Sequence, residues 1–345
     1  MTGDAQSPVS GSAMNTAGSK PFFSIGVTTY DRPALLKETL ESITRQTFTD
    51  FEILVGNDNP GNKLSGELLG IDDSRISFIN RPSNLGELGN MNALLDAGRG
   101  RYFTWLADDD LYFPGFLQAI HCMLEQHGPF DCVFTNFAVG DQYPMNVNIV
   151  CDRSHFKILK GEQFLERYLD RSLNVIGCYG VFDTNYLRQI GGIKHLGNGF
   201  SPYADNLLAV QAAKNARIGY VDSPLVFFRT HSGSISLTSP DVYAYSSAQE
   251  DFLLRSMDVF RDEGVAGDDQ LYLFLLLKWC IRDFATVVQR SGAIRIGTLH
   301  EYFLVIAPYV RRLQGTPYCI RIIGVMAKTF LGLSKHFIKK ALRQR

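Results

Sequence analysis

Three consecutive aspartates, Asp108, Asp109 and Asp110, are the residues of this sequence whose types and spacing most clearly suggest chemistry. Adjacent carboxylates repel one another unless a cation lies among them. Mg²⁺ and Mn²⁺ prefer oxygen ligands and often combine one or two carboxylates with substrate phosphates. The triplet therefore has two interpretations: a divalent-cation site that neutralises a diphosphate leaving group, or a solvated acidic turn before a helix.

The segments around the triplet favour the cation site. Apolar runs predict buried strands, and the intervening segments have helical periodicity; the strands are expected at 22–29, 51–56, 75–79, 101–106 and 131–139. This alternation predicts a mostly parallel sheet flanked by helices. Ligands of such sheets bind beyond the carboxyl ends of the strands. Three polar turns stand at those ends: TYDRP, NDNPGN and ADDD.

The second half of the sequence is less regular. A strand is expected at 175–182, and its glycines in GCYG (177–180) allow a close approach of the main chain. A helix is expected at 201–216 with Asp205 in its first turn, followed by strands and a loop to 236. From about 242 the pattern is helical.

Composition excludes several function classes. The chain has 345 residues, 45% hydrophobic, and a formal net charge of −1, so no overall field attracts nucleic acid. Six scattered cysteines without a CxxC pair are typical of reduced thiols in a cytosol. Residues 1–20 are small and polar, which predicts a disordered leader rather than a signal peptide. No apolar stretch is long enough to predict a spanning helix.

Two stretches resemble the family 2 glycosyltransferases, which have the GT-A fold. They are SIGVTTYDRPALLKETLESITRQTFTDFEILVGNDNP and NLGELGNMNALLDAGRGRYFTWLADDDLYFP. The resemblance is dense over 22–120 and weaker over 175–236. It implies an α/β GT-A domain at 21–240, a mostly parallel twisted sheet flanked by helices. A helical C-terminal appendage is expected at 241–345.

The family resemblance also implies an activity. Its members move a sugar, with inversion, from a nucleotide donor that is usually UDP-linked, and Mn²⁺ or Mg²⁺ assists. The acceptor is expected to be a hydroxyl of a glycan or a lipid-linked molecule, as in polysaccharide biosynthesis. The corresponding location is the cytoplasm or the cytoplasmic face of a membrane.

Carried over by position, the resemblance implies roles for individual residues. Asp109 matches the metal-binding acid, with Asp110 and His231 as further ligands, and Arg229 is placed to neutralise the diphosphate. An inverting transfer needs one general base. Asp205 matches it, while two other aspartates compete for that role: Asp183 and Asp222. Asp222, in YVDSP, is expected in a turn. The predicted donor-binding residues are Thr28, Tyr30, Arg32, Asp58, Asn84 and Asp108.

Alternatives from other classes remain open. Ala107 and Ala204 stand where many family members carry acids, so the alternative is a catalytically inactive nucleotide-sugar or glycan binding protein. A nicotinamide dehydrogenase would carry GxGxxG after the first strand, and TTYDRP stands there instead. A sugar nucleotidyltransferase usually has a glycine-rich, basic first loop, which is also missing.

The segment 319–345 is amphipathic and basic. One interpretation is a helix that lies on an anionic membrane surface, which would suit a lipid-linked acceptor. The other is a packed C-terminal helix with a solvated basic end. The sequence leaves both open, as it does the oligomeric state.

Overall fold

A computed structural model of the protein describes residues 20–144, 153–199, 201–215, 217–231, 242–261, 269–291 and 296–343. Apart from Lys20, the predicted leader lies outside the described residues.

The described strands form one mixed sheet. They are β1 (Phe23–Thr29), β2 (Phe51–Asn57), β3 (Ile76–Asn80), β4 (Tyr102–Ala107), β5 (Leu111–Tyr112), β6 (Cys132–Gly140), β7 (Phe156–Leu159), β8 (Val181–Asp183) and β9 (Ile218–Arg229). Their order is β3-β2-β1-β4-β8-β6-β9-β5, with β7 also paired to β9. The four strands β3, β2, β1 and β4 run parallel, and β8 enters antiparallel between β4 and β6.

The helices of the first 231 residues flank this sheet. They are α1 (Pro33–Thr44), α2 (Gly66–Leu69), α3 (Glu87–Ala97), α4 (Phe116–His127), α5 (Gly161–Leu169), α6 (Thr184–Gln189) and α7 (Ala204–Ala212). Helices α1 and α4 contribute to one hydrophobic core, whereas α3, α5 and α7 contribute to another. The expected sheet covered by helices, the GT-A-type fold class, is confirmed.

The C-terminal part is helical, as the sequence predicts. It comprises α8 (Val242–Arg261), α9 (Asp269–Ser291), α10 (Ile296–Arg311) and α11 (Pro317–Arg343). Helix α8 packs against α7, and α9 packs against α5, α8 and α11. None of the helices within the described ranges is long and apolar enough to cross a membrane. The predicted domain boundary near 240 stays a prediction, since the segment 232–241 lies outside the described residues.

Two local predictions differ from the structure. The strand expected at 175–182 is reduced to β8, because residues Gly177–Tyr179 form a 3-10 turn instead. Asp222, expected in a turn, lies inside β9, where Lys157 of β7 pairs with its carboxylate. The long strand forms because β6 runs along it and β7 and β5 pair with its two halves.

Candidate functional site

The aspartate triplet begins at the carboxyl end of β4, beside the carboxyl end of β1. Thr28 of β1 is in register with Ala107 of β4, so the turns that follow both strands meet at one edge of the sheet. Arg32, which precedes α1, reaches back across this edge to the triplet. The parallel pairing of two buried strands therefore brings a guanidinium to the acids.

Asp108 is a buried anchor between the two turns. Thr29 Oγ1 donates to its Oδ2 at 2.5 Å, and Arg32 Nη2 lies 2.5 Å from its Oδ1. Burial raises the pKa of Asp108 to about 6, although the Arg32 charge and the Thr29 hydrogen bond oppose the rise. The carboxylate thus fixes the loop after β1, and it stands behind the residues that line the pocket described below.

Asp109 is the acid of the triplet that contacts both Arg32 and His231. Its Oδ2 accepts a hydrogen bond from Arg32 Nη1 at 2.9 Å and lies 3.0 Å from His231 Nε2. The side chain of Asp109 is partly exposed and lines the pocket. The structure therefore brings together one predicted donor-binding residue, Arg32, and two predicted metal ligands, Asp109 and His231.

Asp110 points in a different direction from Asp109. The Tyr179 hydroxyl donates to its Oδ2, and the Arg229 main-chain N–H donates to its Oδ1 at 2.7 Å. Burial raises the pKa of Asp110 to about 7, and the neighbouring charge of Asp109 adds to the rise. Each carboxylate oxygen already accepts a hydrogen bond, so Asp110 ties the triplet to β9 and to the 3-10 turn. Its role as a metal ligand stays a prediction.

Two polar residues of α1, and Gln46 just beyond its end, hold the main chain that follows the triplet. Thr39 Oγ1 donates to the carbonyl of Asp110 at 2.8 Å, and Ser42 Oγ accepts from the Tyr112 N–H at 3.1 Å. Gln46 donates to the Phe113 carbonyl at 2.9 Å and accepts from the N–H of Leu117. Residues three or four positions apart share a helix face. This polar face therefore fixes the position of the acid turn.

A pocket of about 330 Å³ opens beside these acids. Its polar lining includes Thr28, Arg32, Glu87, Asp109 and Asp205. Its apolar lining includes Met91, Trp105, Ile176, Ile193, Pro202 and Phe228. A lining that combines a few charged groups with an apolar wall is typical of small-molecule sites.

Asp205, in the first turn of α7, lies at this pocket. Burial raises the pKa of its carboxyl to about 6, and the charge of Glu87 adds to the rise. The N–H groups of Asn206 and of Asp205 itself lower the pKa by favouring the carboxylate. A carboxylate with this raised pKa at a pocket wall is suited to accept a proton near neutral pH.

The first turn of α7, which carries Asp205, is held from two sides. Tyr203, immediately before α7, donates its hydroxyl to Asp283 Oδ2 of α9 at 2.7 Å. On the other side, a Cβ on Gly177 would stand 1.8 Å from the carbonyl oxygen of Asp205. The close main-chain approach expected for GCYG is therefore confirmed at Gly177.

The two competitors for the base have other roles. Asp183 caps α6, where its Oδ1 accepts from the N–H groups of Asn185 at 2.9 Å and Tyr186 at 3.0 Å. Asp222 is paired with Lys157. Asp205 is the only one of the three candidate bases that lines the pocket.

The remaining predicted donor residues are not among those that line the pocket. Asp58 is buried after β2, and its Oδ1 accepts from the Leu85 N–H at 2.8 Å. Asn84 Oδ1 accepts from the Gly86 N–H at 2.7 Å, while Tyr30 is 53% exposed. Asp58 N–H donates to the Thr29 carbonyl, so the turns after β1 and β2 and the turn before α3 meet.

The donor set fits a divalent cation that is shared with a substrate. No three His, Cys, Asp or Glu side chains are grouped to hold a metal ion in the described part of the chain. Asp109 and His231 supply one carboxylate and one imidazole within 3.0 Å of each other. Cations of this class often use few protein ligands and complete their shell with substrate phosphates. The residues present thus suit a jointly held Mn²⁺ or Mg²⁺.

Sequence reasoning gave no role to two residues of the site. Glu87, in the first turn of α3, lines the pocket, and its charge acts on Asp205. Tyr179 holds Asp110 across 69 positions. Glu87 follows the predicted donor-binding turn at Asn84, and this position was a local signal that Glu87 belongs to the site. Nothing local indicated Tyr179, because its partner comes from another part of the chain.

A family model described as "Glycosyl transferase family 2" matches residues 24–190. The chain carries a family 2 glycosyltransferase domain. The match includes the aspartate triplet and the turns after β1 and β2. Asp205 and His231 lie beyond it.

Curated relatives resemble the same part of the chain. An uncharacterized glycosyltransferase of Methanocaldococcus jannaschii is 35% identical over 120 residues, which cover 34% of this chain and 41% of the relative. The Campylobacter jejuni GalNAc(5)-diNAcBac-PP-undecaprenol beta-1,3-glucosyltransferase is 32% identical over 124 residues, 31% of this chain and 40% of the relative. Each alignment thus spans less than half of the relative's own length.

The fold likeness extends further than the sequence likeness. The crystal structure of S. aureus TarS 1–349 in complex with UDP-GlcNAc aligns with a TM-score of 0.61 and 13% identity. The alignment covers 93% of this chain and 91% of that chain, so it includes helices beyond the sheet. At this identity the likeness concerns the fold.

Proposed function

We propose that this protein is an inverting glycosyltransferase that moves a sugar from a nucleotide-sugar donor to an acceptor hydroxyl. One observation carries the proposal: Arg32, Asp109 and Asp205 line the same pocket of about 330 Å³. The part of the pocket at Arg32 and Asp109 suits a diphosphate. The carboxylate of Asp205 is suited to accept a proton from the acceptor hydroxyl. Family membership over 24–190 supports the donor class.

At the donor end, the Arg32 guanidinium lies where the leaving diphosphate would gain negative charge. Arg32 contacts Asp109 Oδ2 and is placed to neutralise a diphosphate as it leaves. A cation held by Asp109, His231 and the diphosphate would supply further charge neutralisation. Thr28, Tyr30, Asp58, Asn84 and Asp108 are proposed to hold the donor, Asp58 and Asp108 by fixing the turns around it.

At the acceptor end, Asp205 takes the proton from the attacking hydroxyl. The acceptor oxygen then forms a bond to the anomeric carbon, and the bond from that carbon to the diphosphate oxygen breaks with its electron pair. One displacement inverts the anomeric centre and needs no second carboxylate nucleophile. The apolar wall around Met91, Trp105 and Ile193 excludes water from this step.

The donor is proposed to be UDP-linked and the acceptor to be a glycan or a lipid-linked molecule. The C. jejuni relative is named as a glucosyltransferase acting on an undecaprenol-linked glycan, and the TarS structure contains UDP-GlcNAc. Both names support the proposed donor and acceptor classes. Neither indicates which sugar this chain transfers. A location at the cytoplasmic face of a membrane would place the protein beside such an acceptor.

A thermal-shift screen of nucleotide sugars, with and without Mn²⁺, tests the proposal. The correct donor should raise the melting temperature, because a ligand that binds only the folded state stabilises it by mass action. Transfer is then measured with that donor. Donor binding without any turnover would favour the alternative of an inactive nucleotide-sugar binding protein. No shift with any nucleotide diphosphate would contradict the donor site.

A further inference from the structure

Helix α11 exposes a row of apolar side chains along its length. At 100° per residue, the row falls within an arc of about 120°. We call this row the apolar stripe; its members are Ile320, Ile323, Phe330, Leu331, Ile338 and Leu342. Ile320 is 78% exposed and Leu342 is 68% exposed, so the stripe reaches solvent near both ends of the helix.

The stripe is separate from the face that attaches α11 to the rest of the protein. Ile322 and Leu333 are buried and belong to the hydrophobic core shared with α9 and α10. On the helical wheel these two residues lie on another side of α11 from the stripe. The exposed apolar surface therefore is not explained by the packing of the helix on its own chain.

Positive charge borders the stripe. Lys328, Lys335 and Lys339 are exposed and fall within an arc of about 40°, directly beside the stripe on the helical wheel. The sequence from 317 to 345 contains no aspartate or glutamate. Helix α11 thus presents an apolar row with a lysine row along one edge and no acidic side chain of its own.

We propose that α11 lies in the plane of an anionic lipid surface. The apolar stripe would enter the boundary between acyl chains and headgroups, and the lysines would extend to the anionic headgroups at its edge. A helix of 27 residues is about 40 Å long, so the contact is extended. It lies along the surface rather than through it, in agreement with the absence of a spanning helix among the described residues.

The charge pattern favours lipid over a second copy of this chain as the occupant. If two copies met by their stripes with antiparallel helices, the lysine rows would approach each other. With parallel helices, α11 of the second copy would offer no acidic side chain to pair with them. Like charges close together at an interface oppose association. An anionic bilayer instead supplies an apolar phase and negative charge to the same face.

The position of α11 links this surface to the pocket. Helix α11 packs on α9, α9 packs on α8, and α8 packs on α7, which carries Asp205. A bilayer bound through α11 therefore holds the pocket at a fixed distance from the lipid. The membrane contact does not depend on the proposed reaction, and it is tested without a donor or an acceptor.

Vesicle co-sedimentation of the full chain tests the proposal. The probes are vesicles of phosphatidylcholine alone and vesicles of phosphatidylcholine mixed with phosphatidylglycerol, at low and at high salt. We expect binding to the mixed vesicles, weaker binding at high salt, and little binding to phosphatidylcholine alone. A wild-type chain that stays in the supernatant with the mixed vesicles would overturn the proposal.

Matched variants separate the stripe from general surface effects. The double variant Ile323→Glu and Leu331→Glu should bind mixed vesicles at least about tenfold more weakly. Leu68→Glu changes a 69% exposed leucine on α2 and should bind like wild type. Lys328→Glu with Lys335→Glu should weaken binding about tenfold or more, whereas Lys63→Glu with Arg45→Glu should not.

Two results would contradict the role of the stripe. One is equal vesicle binding by the wild type and by the Ile323→Glu and Leu331→Glu variant, with circular dichroism showing that both are folded. The other is a wild-type dimer in size-exclusion chromatography that this variant converts to a monomer. In that case a second copy of the chain would cover the stripe.

Discussion

Gly177 lies directly against the main chain of Asp205, so closely that a Cβ at position 177 would stand 1.8 Å from the Asp205 carbonyl oxygen. That oxygen belongs to the first turn of α7, which carries the proposed base. The contact is between main-chain segments, so no flexible side chain can move aside. The position of the base therefore depends on the absence of a side chain at Gly177.

Gly177→Ala should displace the first turn of α7. We expect the free energy of unfolding to fall by about 2 kcal/mol or more, because overpacking against main chain has no easy relief. Turnover should fall as well, since the carboxylate of Asp205 moves with the turn. Urea unfolding and initial-rate kinetics measure the two effects.

Gly324→Ala is the matched control. Nothing lies within 4 Å of a Cβ at this helical position, so the change should stabilise the protein by about 0.5 to 1 kcal/mol. Equal urea midpoints for Gly177→Ala and Gly324→Ala would contradict the close packing of Gly177 against the main chain of Asp205.

Arg32→Met should destabilise the aspartate turn. Arg32 contacts Asp108 and Asp109, and Asp108 is fully buried. Removing the cationic partner of a buried carboxylate is costly, and the Thr29 hydrogen bond that remains limits the loss to about 2 kcal/mol. Donor affinity should fall too, because the guanidinium is placed at the proposed diphosphate end.

Arg45→Met provides the comparison for Arg32→Met. Arg45 pairs with Glu41 on the exposed surface of α1, and such pairs contribute about 0.5 kcal/mol or less. Thermal unfolding of both variants, with and without the donor found by screening, separates the two arginines. Equal melting temperatures of the two variants would mean that Arg32 does not stabilise the folded protein by pairing with buried Asp108.

The fold and the strand-end turns could be predicted from the sequence because their signals are local. Continuous apolar runs identify the buried strands, and polar turns at their ends identify the ligand edge. The parallel register of β1 and β4 then makes the turn at Thr28 and the turn after Ala107 neighbours. Asp109 could therefore be assigned to the site before its contacts were known.

Contacts between distant segments could not be predicted in this way. Tyr179 holds Asp110 across 69 positions, and Lys157 pairs with Asp222 across 65 positions. Asp222 was expected in a turn because Asp-Ser-Pro is typical of turns, yet pairing with β6 and β7 keeps that segment extended. Tertiary pairing overrides the local preference here.

The pH dependence of turnover should report the titration of Asp205. Burial raises the pKa of its carboxyl to about 6, and the charges of Glu87 and Asp283 add to the rise. A general base acts only when it is deprotonated, so kcat should increase as pH rises through about 6 and then level off. A kcat that is constant from about pH 5 to 8 would contradict this assignment.

Stability should change with pH in the opposite direction. The pKa of Asp205 is about 6 in the folded chain, against a usual value of 3.8, so the folded chain keeps this proton where the unfolded chain has lost it. The contribution of Asp205 to stability therefore falls as pH rises from about 4 to about 6. Compared with Asp205→Asn, wild type should lose stability between about pH 4 and pH 6 in urea unfolding.

The central claim is that Asp205 is the general base of an inverting transfer, and the most direct measurement compares Asp205→Asn with Asp222→Asn. For both variants, donor affinity is measured by titration calorimetry and turnover by product formation, using the donor identified by the thermal-shift screen. We predict that Asp205→Asn binds donor as wild type does while its kcat falls by about 10² to 10⁴-fold, and that Asp222→Asn keeps wild-type turnover. Turnover of Asp205→Asn within about twofold of wild type would contradict the mechanism.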